Sequence, residues 1–203
     1  MPYFRISQTL FLMKLVFATH NQNKFKEVQL LLPSHIELLN LNDIGCTKDI
    51  PETADTIEGN AVLKAEYVKN HFGYDCFADD TGLEVTALNG DPGVYSARYA
   101  GEEKSAAANI QKLLTELEGK ENRHARFKTA IALTVGLESV MFIGLCDGTI
   151  TTTERGEKGF GYDPVFLPEG KTETFAEMSL TEKSDIGHRG KAMRQLIAYL
   201  TKG

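Results

Sequence analysis

The hydrophobic pattern of this chain changes between its two halves, and that change constrains the fold. In the first half, an apolar run at 15–18 leads through a polar turn into an amphipathic segment that stops at Pro33, which indicates a strand–loop–helix unit. In the second half, residues 127–135 alternate in period two, and the segments at 141–145 and 149–153 are typical of further strands. Such a succession of strands is antiparallel by default. We therefore predict an α/β fold with an elongated, bent, mixed β-sheet and helices at both ends.

The same patterns predict the remaining elements and the domain boundary. We expect strands at 36–41 and from residue 76, helices at 59–72, 106–117 and 192–200, an acidic loop at 43–57 and a long loop at 88–101. A clean strand pattern begins at Met13, whereas residues 1–12 are apolar without the features of a signal peptide. The prediction is a single domain at 13–203 with an N-terminal extension at 1–12.

Charge and cysteine content exclude several classes of protein. With 28 acidic and 22 basic residues the formal charge is −6, which argues against a general nucleic-acid-binding surface because such surfaces carry a basic excess. The three cysteines have neither metal-site spacing nor the pattern of a disulfide framework, and they are typical of reduced thiols in a cytoplasmic protein. No apolar run approaches the roughly 20 residues that cross a membrane.

Two adjacent acids, Asp79 and Asp80, follow the apolar residues 76–78 and precede Thr81 and Gly82. We expect a buried strand to end here and to deliver both carboxylates to the rim of the sheet, where open α/β sheets bind ligands. Adjacent carboxylates repel each other, so a cation such as Mg²⁺ is expected to compensate them. On this segment alone, an Asp-Asp-Thr-Gly turn that closes a hairpin remains the alternative.

A third acid, Glu52, lies in the loop before the 59–72 helix. If the fold brings Glu52 to Asp80, the two carboxylates can hold Mg²⁺ and one of them can orient or deprotonate a water. Asn60 and Lys64, one turn apart, share a helix face that can look into a cleft. For Glu52, a solvent-exposed loop acid is the alternative.

The polar loop at 19–24 is a candidate phosphate site. It follows a strand and opens a helix, so free backbone N–H groups and the helix dipole favour an anion there. It lacks the P-loop pattern, and an ordinary asparagine-rich helix cap with a solvated lysine remains the alternative. The candidate residues are Thr19, His20, Asn21, Gln22, Asn23 and Lys24.

A glycine-flanked aromatic segment at 159–164 is a candidate base site. Phe160 or Tyr162 can stack on a nucleobase, and Gly161 lets the backbone come close to a flat ligand. Because a proline follows Asp163, we expect an extended backbone there and a carboxylate that points outward to a base edge. A Gly/Pro loop held by core aromatics is the alternative.

Basic residues cluster at 182–190, just before the C-terminal helix. Lys183, His188 and Arg189 are candidate cations for a phosphate or a base oxygen, and arginine can contact either in a forked geometry. A solvated basic face at a helix start is the alternative.

In their order along the chain, these segments resemble the inosine triphosphate pyrophosphatase family, and the resemblance runs from Met13 to the C-terminus. The motifs that carry it are Phe-Ala-Thr-His-Asn-Gln-Asn-Lys at 17–24, Glu-Thr at 52–53, Asn-Ala-Val-Leu-Lys-Ala at 60–65, Ala-Asp-Asp-Thr-Gly-Leu at 78–83, Pro-Gly-Val-Tyr-Ser-Ala-Arg-Tyr at 92–99, Gly-Phe-Gly-Tyr-Asp-Pro at 159–164, Glu-Lys-Ser at 182–184 and His-Arg-Gly at 188–190.

The resemblance implies a two-lobed catalytic domain at 13–203 with a central substrate cleft. It also implies Mg²⁺-dependent hydrolysis of dITP, ITP and XTP to the nucleoside monophosphate and pyrophosphate, which removes non-standard purines from the nucleotide pool. A homodimer is implied as well, and the 88–101 loop with Tyr95 and Tyr99 is the expected contributor to its interface.

Individual roles follow from the same resemblance. Residues 19–24 and Lys64 are expected to hold the triphosphate, while Glu52 and Asp80 lie near the metal and Asp80 accepts a proton from water. Asp79 is expected to support its neighbour. The remaining substrate contacts implied by the family are Thr81, Phe160, Gly161, Tyr162, Asp163, Lys183, His188 and Arg189.

The sequence departs from the family pattern at three positions. His20 stands where the family usually has glycine, Thr81 replaces a serine, and Gly187 replaces a serine before His-Arg. None of these changes removes a charge that the implied reaction needs. They therefore affect the expected substrate specificity more than the expected activity. The alternative functions are a pyrophosphatase for modified pyrimidine nucleotides and a catalytically silent nucleotide-sensing module.

Overall fold

The computed structural model describes residues 13–202, and the predicted extension at 1–12 lies outside the described residues. These residues form one seven-stranded sheet in the order β2-β1-β3-β5-β6-β7, with β4 paired to β3. The strands are β1 (Met13–Phe17), β2 (Ile36–Leu39), β3 (Cys76–Val85), β4 (Pro92–Gly93), β5 (His124–Val135), β6 (Glu138–Ile150) and β7 (Phe166–Pro168). Among the described residues, no helix has the length and apolar character needed to span a membrane.

Five α-helices pack around this sheet. Four of them begin at a residue whose side chain caps the helix, and α5 alone begins at a glycine without such a cap. Helix α2, for example, starts after Thr56, whose hydroxyl accepts the Gly59 N–H, and ends at Gly73 in the left-handed conformation that glycine favours. The helices are α1 (Gln22–Gln29), α2 (Ile57–Phe72), α3 (Ala106–Glu116), α4 (Leu180–Ile186) and α5 (His188–Leu200).

The sheet is mixed, as predicted, and its two kinds of pairing create the room for a site. Strand β1 is parallel to β2 and β3, but only Val16 and Phe17 stand in register with β3, opposite Cys76 and Phe77. Strand β3 continues to Val85 because β5 pairs antiparallel with it over its whole length. Between the end of β1 and the start of the β4 pairing, one edge of β3 is therefore open.

Three hydrophobic clusters divide the domain into two lobes. In the first lobe the sheet is covered on one face by α2 and on the other by α1 and α5. In the second lobe α3 packs with the far ends of β3, β5 and β6 and with aromatic residues of the 162–178 region. This mixed sheet with flanking helices agrees with the predicted fold class.

Three predicted boundaries are wrong. Strand β3 does not end at Asp79 and Asp80, because both pair with β5 and lie in mid-strand. The runs at 141–145 and 149–153 belong largely to one strand, β6, which ends at Ile150. The 182–190 segment is helical, with a break only at Gly187, where a Cβ atom would stand 2.5 Å from the Lys183 carbonyl oxygen.

Candidate active site

A cleft of about 490 Å³ lies between the lobes, beside the open edge of β3. With the exception of Gln22, which is exposed outside it, every predicted site residue lines this cleft. The cleft thus brings together segments that are far apart in sequence. The predicted residues that line it are Thr19, His20, Asn21, Asn23, Lys24, Glu52, Lys64, Asp80, Thr81, Phe160, Gly161, Tyr162, Asp163, Lys183, His188 and Arg189.

The 19–24 loop is an ordered helix cap at the cleft wall. The Asn21 side chain accepts hydrogen bonds from the N–H groups of Asn23 (2.9 Å) and Lys24 (3.1 Å), and the Thr19 hydroxyl accepts from the Asn21 N–H. Several backbone N–H groups that we expected to be free for a phosphate are therefore already hydrogen-bonded within the protein. The asparagine-rich helix cap is present, and the same residues form part of the cleft wall. His20 adds a contact between its Nε2 and the Lys48 carbonyl oxygen at 3.3 Å.

Because side chains alternate along a strand, the two adjacent acids point to opposite faces of β3. Asp79 accepts hydrogen bonds from Lys24 Nζ (2.9 Å) and Arg189 Nε (2.9 Å) on the α1 and α5 face. Asp80 lies on the α2 face, 3.3 Å from Asn60 Nδ2 and 3.7 Å from Lys64 Nζ. The pair is thus divided by strand geometry, and each acid has its own cations.

On the α2 face, Glu52, Asn60, Lys64 and Asp80 form what we call the carboxylate cluster. Lys64 Nζ lies 2.6 Å from Glu52 Oε1 and 3.7 Å from Asp80, so the fold does bring the two predicted metal ligands together. Burial raises the pKa of Asp80, with smaller contributions from Glu52 and Asp79, while Lys64 and Lys24 oppose the rise. Burial also disfavours ionised Glu52, but the Lys64 ammonium outweighs it and the pKa of Glu52 is lowered.

On the opposite face lies a buried ion-pair network formed by Glu27, Asp79, Asp163, Lys183 and Arg189. Glu27 receives Lys183 Nζ at 2.7 Å and also pairs with Arg189 NH1, while Asp163 receives Lys183 at 2.6 Å. All five residues are at most 6% exposed. Lys183 and Arg189, the two basic residues of this network that were predicted to meet substrate, are therefore each paired with two carboxylates of the protein.

Glu27 is the network member that sequence analysis missed. It stands three residues after Lys24 in α1, on the buried side of the helix next to Val28. A lone acid on the apolar face of an amphipathic helix is the signal that would have found it. Burial opposes its ionisation, but Arg189 and Lys183 lower the pKa of Glu27 below its usual value. For Asp79, Lys24, Arg189 and Lys64 hold the pKa of the carboxyl group down despite burial.

The residues of the aromatic segment at 159–164 divide between the cleft and the hydrophobic core. Phe160 is half-buried at the cleft, with Lys183 Nζ 4.7 Å from its ring centroid. Tyr162 is a core residue, 5% exposed, whose hydroxyl donates to the Ser96 carbonyl oxygen. The expectation that Asp163 points outward is wrong: it begins a 3₁₀ turn and is 2% exposed, and its carboxylate accepts the Phe160 N–H at 2.8 Å.

His188 is a neutral group in this site, not a third cation. Burial lowers the pKa of its imidazole far below the usual value, and the neighbouring Arg189 and Lys183 add to the effect. Its ring stacks on Phe127 at a centroid distance of 4.6 Å, and Nδ1 lies 2.6 Å from the Thr129 hydroxyl. Other cleft residues that sequence analysis missed are Ser96, Lys104, Asn109 and Phe127.

The carboxylate cluster offers a cation few protein ligands. Among residues 13–202, no group of three or more His, Cys, Asp or Glu side chains is arranged as a metal site. Mg²⁺ in phosphate-processing sites usually takes one or two carboxylates and completes its shell with water and substrate phosphates. Glu52 and Asp80, which converge on one ammonium group, fit that donor set.

Comparison with known proteins places this arrangement in a family. Residues 15–199 match the model of the Ham1 family. Among curated relatives, the dITP/XTP pyrophosphatase of Christiangramia forsetii is 62% identical over 94% of this chain and 100% of its own length. The enzyme of the same name from Bacillus subtilis is 46% identical over 91% of this chain and 96% of its own.

Solved structures agree. A Ham1 protein from Coxiella burnetii has a TM-score of 0.87 and 38% identity, covering 94% of this chain and all of that chain. The Staphylococcus aureus Ham1 protein has a TM-score of 0.85 and 39% identity over 93% of this chain and 98% of its own. These matches confirm the relationship predicted from the ordered motifs, and we conclude that the chain belongs to the Ham1 family.

Proposed function

We propose that this protein hydrolyses dITP, ITP and XTP to the nucleoside monophosphate and pyrophosphate, in a Mg²⁺-dependent reaction that clears non-standard purines from the nucleotide pool. The observation that carries the proposal is that one cleft holds three features. They are two carboxylates that share the Lys64 ammonium, a helix-capping loop, and an aromatic side chain on which a base can stack. The names of the relatives that match over nearly the whole chain support the same reaction.

The charges of the cleft support a substrate that arrives with a cation. In the ion-paired set, four cations (Lys24, Lys64, Lys183 and Arg189) face five carboxylates (Glu27, Glu52, Asp79, Asp80 and Asp163), a net charge of −1 when all are ionised. A triphosphate adds further negative charge. The lysines and the arginine are thus already compensated by the protein, so the phosphates need a bound cation to be accommodated.

Glu52 and Asp80 are the residues that would hold Mg²⁺. When bound, the ion supplies charge neutralisation at the phosphate oxygens. Within the chain, Lys64 keeps the two carboxylates together and Asn60 holds the Asp80 carboxylate from the side. In this proposal Asp80 also accepts the proton of the attacking water, a role that its raised pKa favours because a stronger base accepts protons more readily.

The triphosphate and the base occupy different walls of the cleft in this proposal. The 19–24 loop and Lys64 face the phosphates, and Lys24 contributes its charge from its position beside Asp79. Phe160 provides the surface on which the purine stacks, with Gly161 and Tyr162 behind it. His188 and Arg189 lie beside this platform, where donors can meet the oxygen at position 6 of the purine.

We extend the proposal to assembly and location. A homodimer in the cytoplasm is consistent with a half-exposed Tyr95, 53% accessible, in the 88–101 loop, and with three free cysteines. Light scattering after size-exclusion chromatography measures the mass directly. A monomeric mass at micromolar concentration would contradict the homodimer.

The experiment that tests the activity is a substrate panel. Purified protein is incubated with dITP, XTP, dATP, dGTP and dTTP, with Mg²⁺ or with EDTA, and pyrophosphate and orthophosphate are measured separately. We expect pyrophosphate from dITP and XTP with Mg²⁺ only. Faster release from dTTP would favour a pyrimidine enzyme, no release from any nucleotide would favour a sensing module, and either result would overturn the proposal.

A further inference from the structure

A line of hydrogen bonds crosses the sheet beneath the cleft. Thr129 of β5 stands directly opposite Thr81 of β3, so both side chains emerge on the same face. The Thr129 hydroxyl is completely buried and lies 2.6 Å from Thr81 Oγ1 and 2.6 Å from His188 Nδ1. At the other end, Arg189 NH2 donates to Thr81 Oγ1 at 3.1 Å.

Counting hydrogens gives this line a direction. Arginine can only donate, so Thr81 accepts from Arg189 and has a single hydrogen of its own to give. If Thr81 donates to Thr129, then Thr129 donates to His188 Nδ1, and every hydroxyl hydrogen has an acceptor. In the reverse order Nδ1 donates to Thr129 and Thr129 to Thr81, which leaves the Thr81 hydrogen without an acceptor among the described residues. The first order is favoured because it pairs every hydroxyl hydrogen within the protein, whereas the reverse order turns the hydrogen of the half-buried Thr81 toward the cleft without a protein acceptor.

Packing fixes the position of the His188 imidazole, so the direction of the hydrogen bonds determines which ring nitrogen carries the proton. Its ring stacks on Phe127, and the first turn of α5 lies against Gly144 of β6, where a Cβ atom would stand 1.9 Å from the His188 carbonyl oxygen. The second ring nitrogen, Nε2, has no hydrogen-bond partner among residues 13–202 and is not sealed from solvent. Because His188 lines the cleft, Nε2 is the ring atom available to a ligand.

We propose that Thr129 is a positioning residue for substrate selection: it accepts from Thr81 and donates to His188 Nδ1, so that His188 presents an Nε2–H donor to the purine. The proposal rests on the proposed function. A fixed donor pairs with the 6-oxo group of hypoxanthine or xanthine and opposes the 6-amino group of adenine, which is itself a donor. Since guanine shares the 6-oxo group, the relay separates 6-oxo from 6-amino purines and does not act on the 2-position.

The first test needs no substrate. Nitrogen NMR of protein labelled at its histidines distinguishes protonated from unprotonated ring nitrogens, and a spectrum of the His188→Asn variant identifies the His188 signals among the five histidines. We expect an unprotonated Nδ1 and a protonated Nε2 in the wild-type protein. The opposite tautomer would overturn the proposal, even if the enzyme hydrolyses dITP as proposed.

The second test measures the ratio of kcat/KM for dITP to that for dATP in three variants. Thr129→Val removes the hydroxyl at similar size and is expected to lower the ratio about tenfold, the effect of one lost hydrogen bond of good geometry. Thr129→Ser keeps the hydroxyl and is expected to restore the ratio. Thr134→Val is the matched control on the same strand, because the Thr134 hydroxyl is buried without a partner among the described residues, and its ratio should equal that of the wild type.

An unchanged ratio in folded Thr129→Val protein, or an equal loss in Thr134→Val, would overturn the positioning role. If Thr129→Val does not fold, the wild-type tautomer and the Thr129→Ser ratio still decide the matter. Failure of the proposed function is a separate outcome: the wild type would then release no pyrophosphate from dITP, whatever the state of its imidazole.

Discussion

Both faces of β3 carry ion pairs, but the two faces differ in how completely the protein satisfies their charged groups. In the buried ion-pair network, each carboxylate is paired with Lys183, Arg189 or Lys24 at hydrogen-bonding distance. In the carboxylate cluster, Glu52 keeps 29% of its side-chain surface exposed, and Lys64 reaches Asp80 only at 3.7 Å. The network is complete without a ligand, and the cluster is not. We infer that the network holds the site in shape while the cluster carries the chemistry.

The largest expected effect tests the cluster. Asp80→Asn removes the proposed proton acceptor and a metal ligand, so we expect pyrophosphate release from dITP to fall by about 10²–10⁴-fold. Because burial and the neighbouring acids raise the pKa of Asp80, its ionised form is unfavourable in the free protein. The variant should therefore unfold at the same temperature as the wild type or slightly above it.

The matched control for Asp80→Asn is Asp75→Asn, which changes an acid just before the same strand. Asp75 pairs with Lys69 at 2.8 Å and does not line the cleft. Its activity should be close to that of the wild type, with a small loss of stability. Full dITP hydrolysis by a folded Asp80→Asn protein would contradict the assignment of chemistry to the cluster.

The second effect tests the network. Arg189→Ala leaves Glu27 and Asp79 buried without their guanidinium partner, and breaking such a pair costs about 3–5 kcal/mol. We expect a marked drop in the denaturant midpoint, measured by circular dichroism, in addition to lost dITP turnover. A variant of wild-type stability that has lost only its dITP preference would show that Arg189 serves mainly to read the base.

The third effect uses pH to isolate Glu27. Its pKa is lowered from 4.5 in the folded protein, so its stabilising effect is fully present above pH 4.5 and is lost as the pH falls through the folded value. Glu27→Gln should be less stable than the wild type near pH 7, and the difference in unfolding free energy should shrink below pH 4.5. A constant difference from pH 7 to pH 3 would contradict the network assignment.

The sequence predicts which residues share the cleft better than it predicts what they contact. Local signals located four of the five helices, the 19–24 loop and the acids. They missed α4, although the Ser179-x-x-Glu182 capping box that begins it is a local signal. The continuation of β3 was not, because it depends on β5 pairing some 50 positions away along the chain. The pairing of Arg189 with Glu27 spans 162 residues, and no local pattern shows that a basic residue is already neutralised.

The smallest expected effect concerns His20, the departure from the family pattern at the phosphate loop. The His20 backbone does not adopt the left-handed conformation that would favour glycine. Among residues 13–202, the hydrogen-bond partner of its ring is the Lys48 carbonyl oxygen at 3.3 Å, in a solvent-exposed contact. Surface contacts of this kind usually contribute within about 0.5 kcal/mol. We therefore expect His20→Ala to change stability by no more than that and to leave kcat for dITP nearly unaltered, with at most a small rise in KM, as initial-rate kinetics would measure. A large fall in kcat would instead show that His20 stabilises the phosphates in the transition state, and the incompletely satisfied side of the cleft would then extend from the carboxylate cluster to the 19–24 loop.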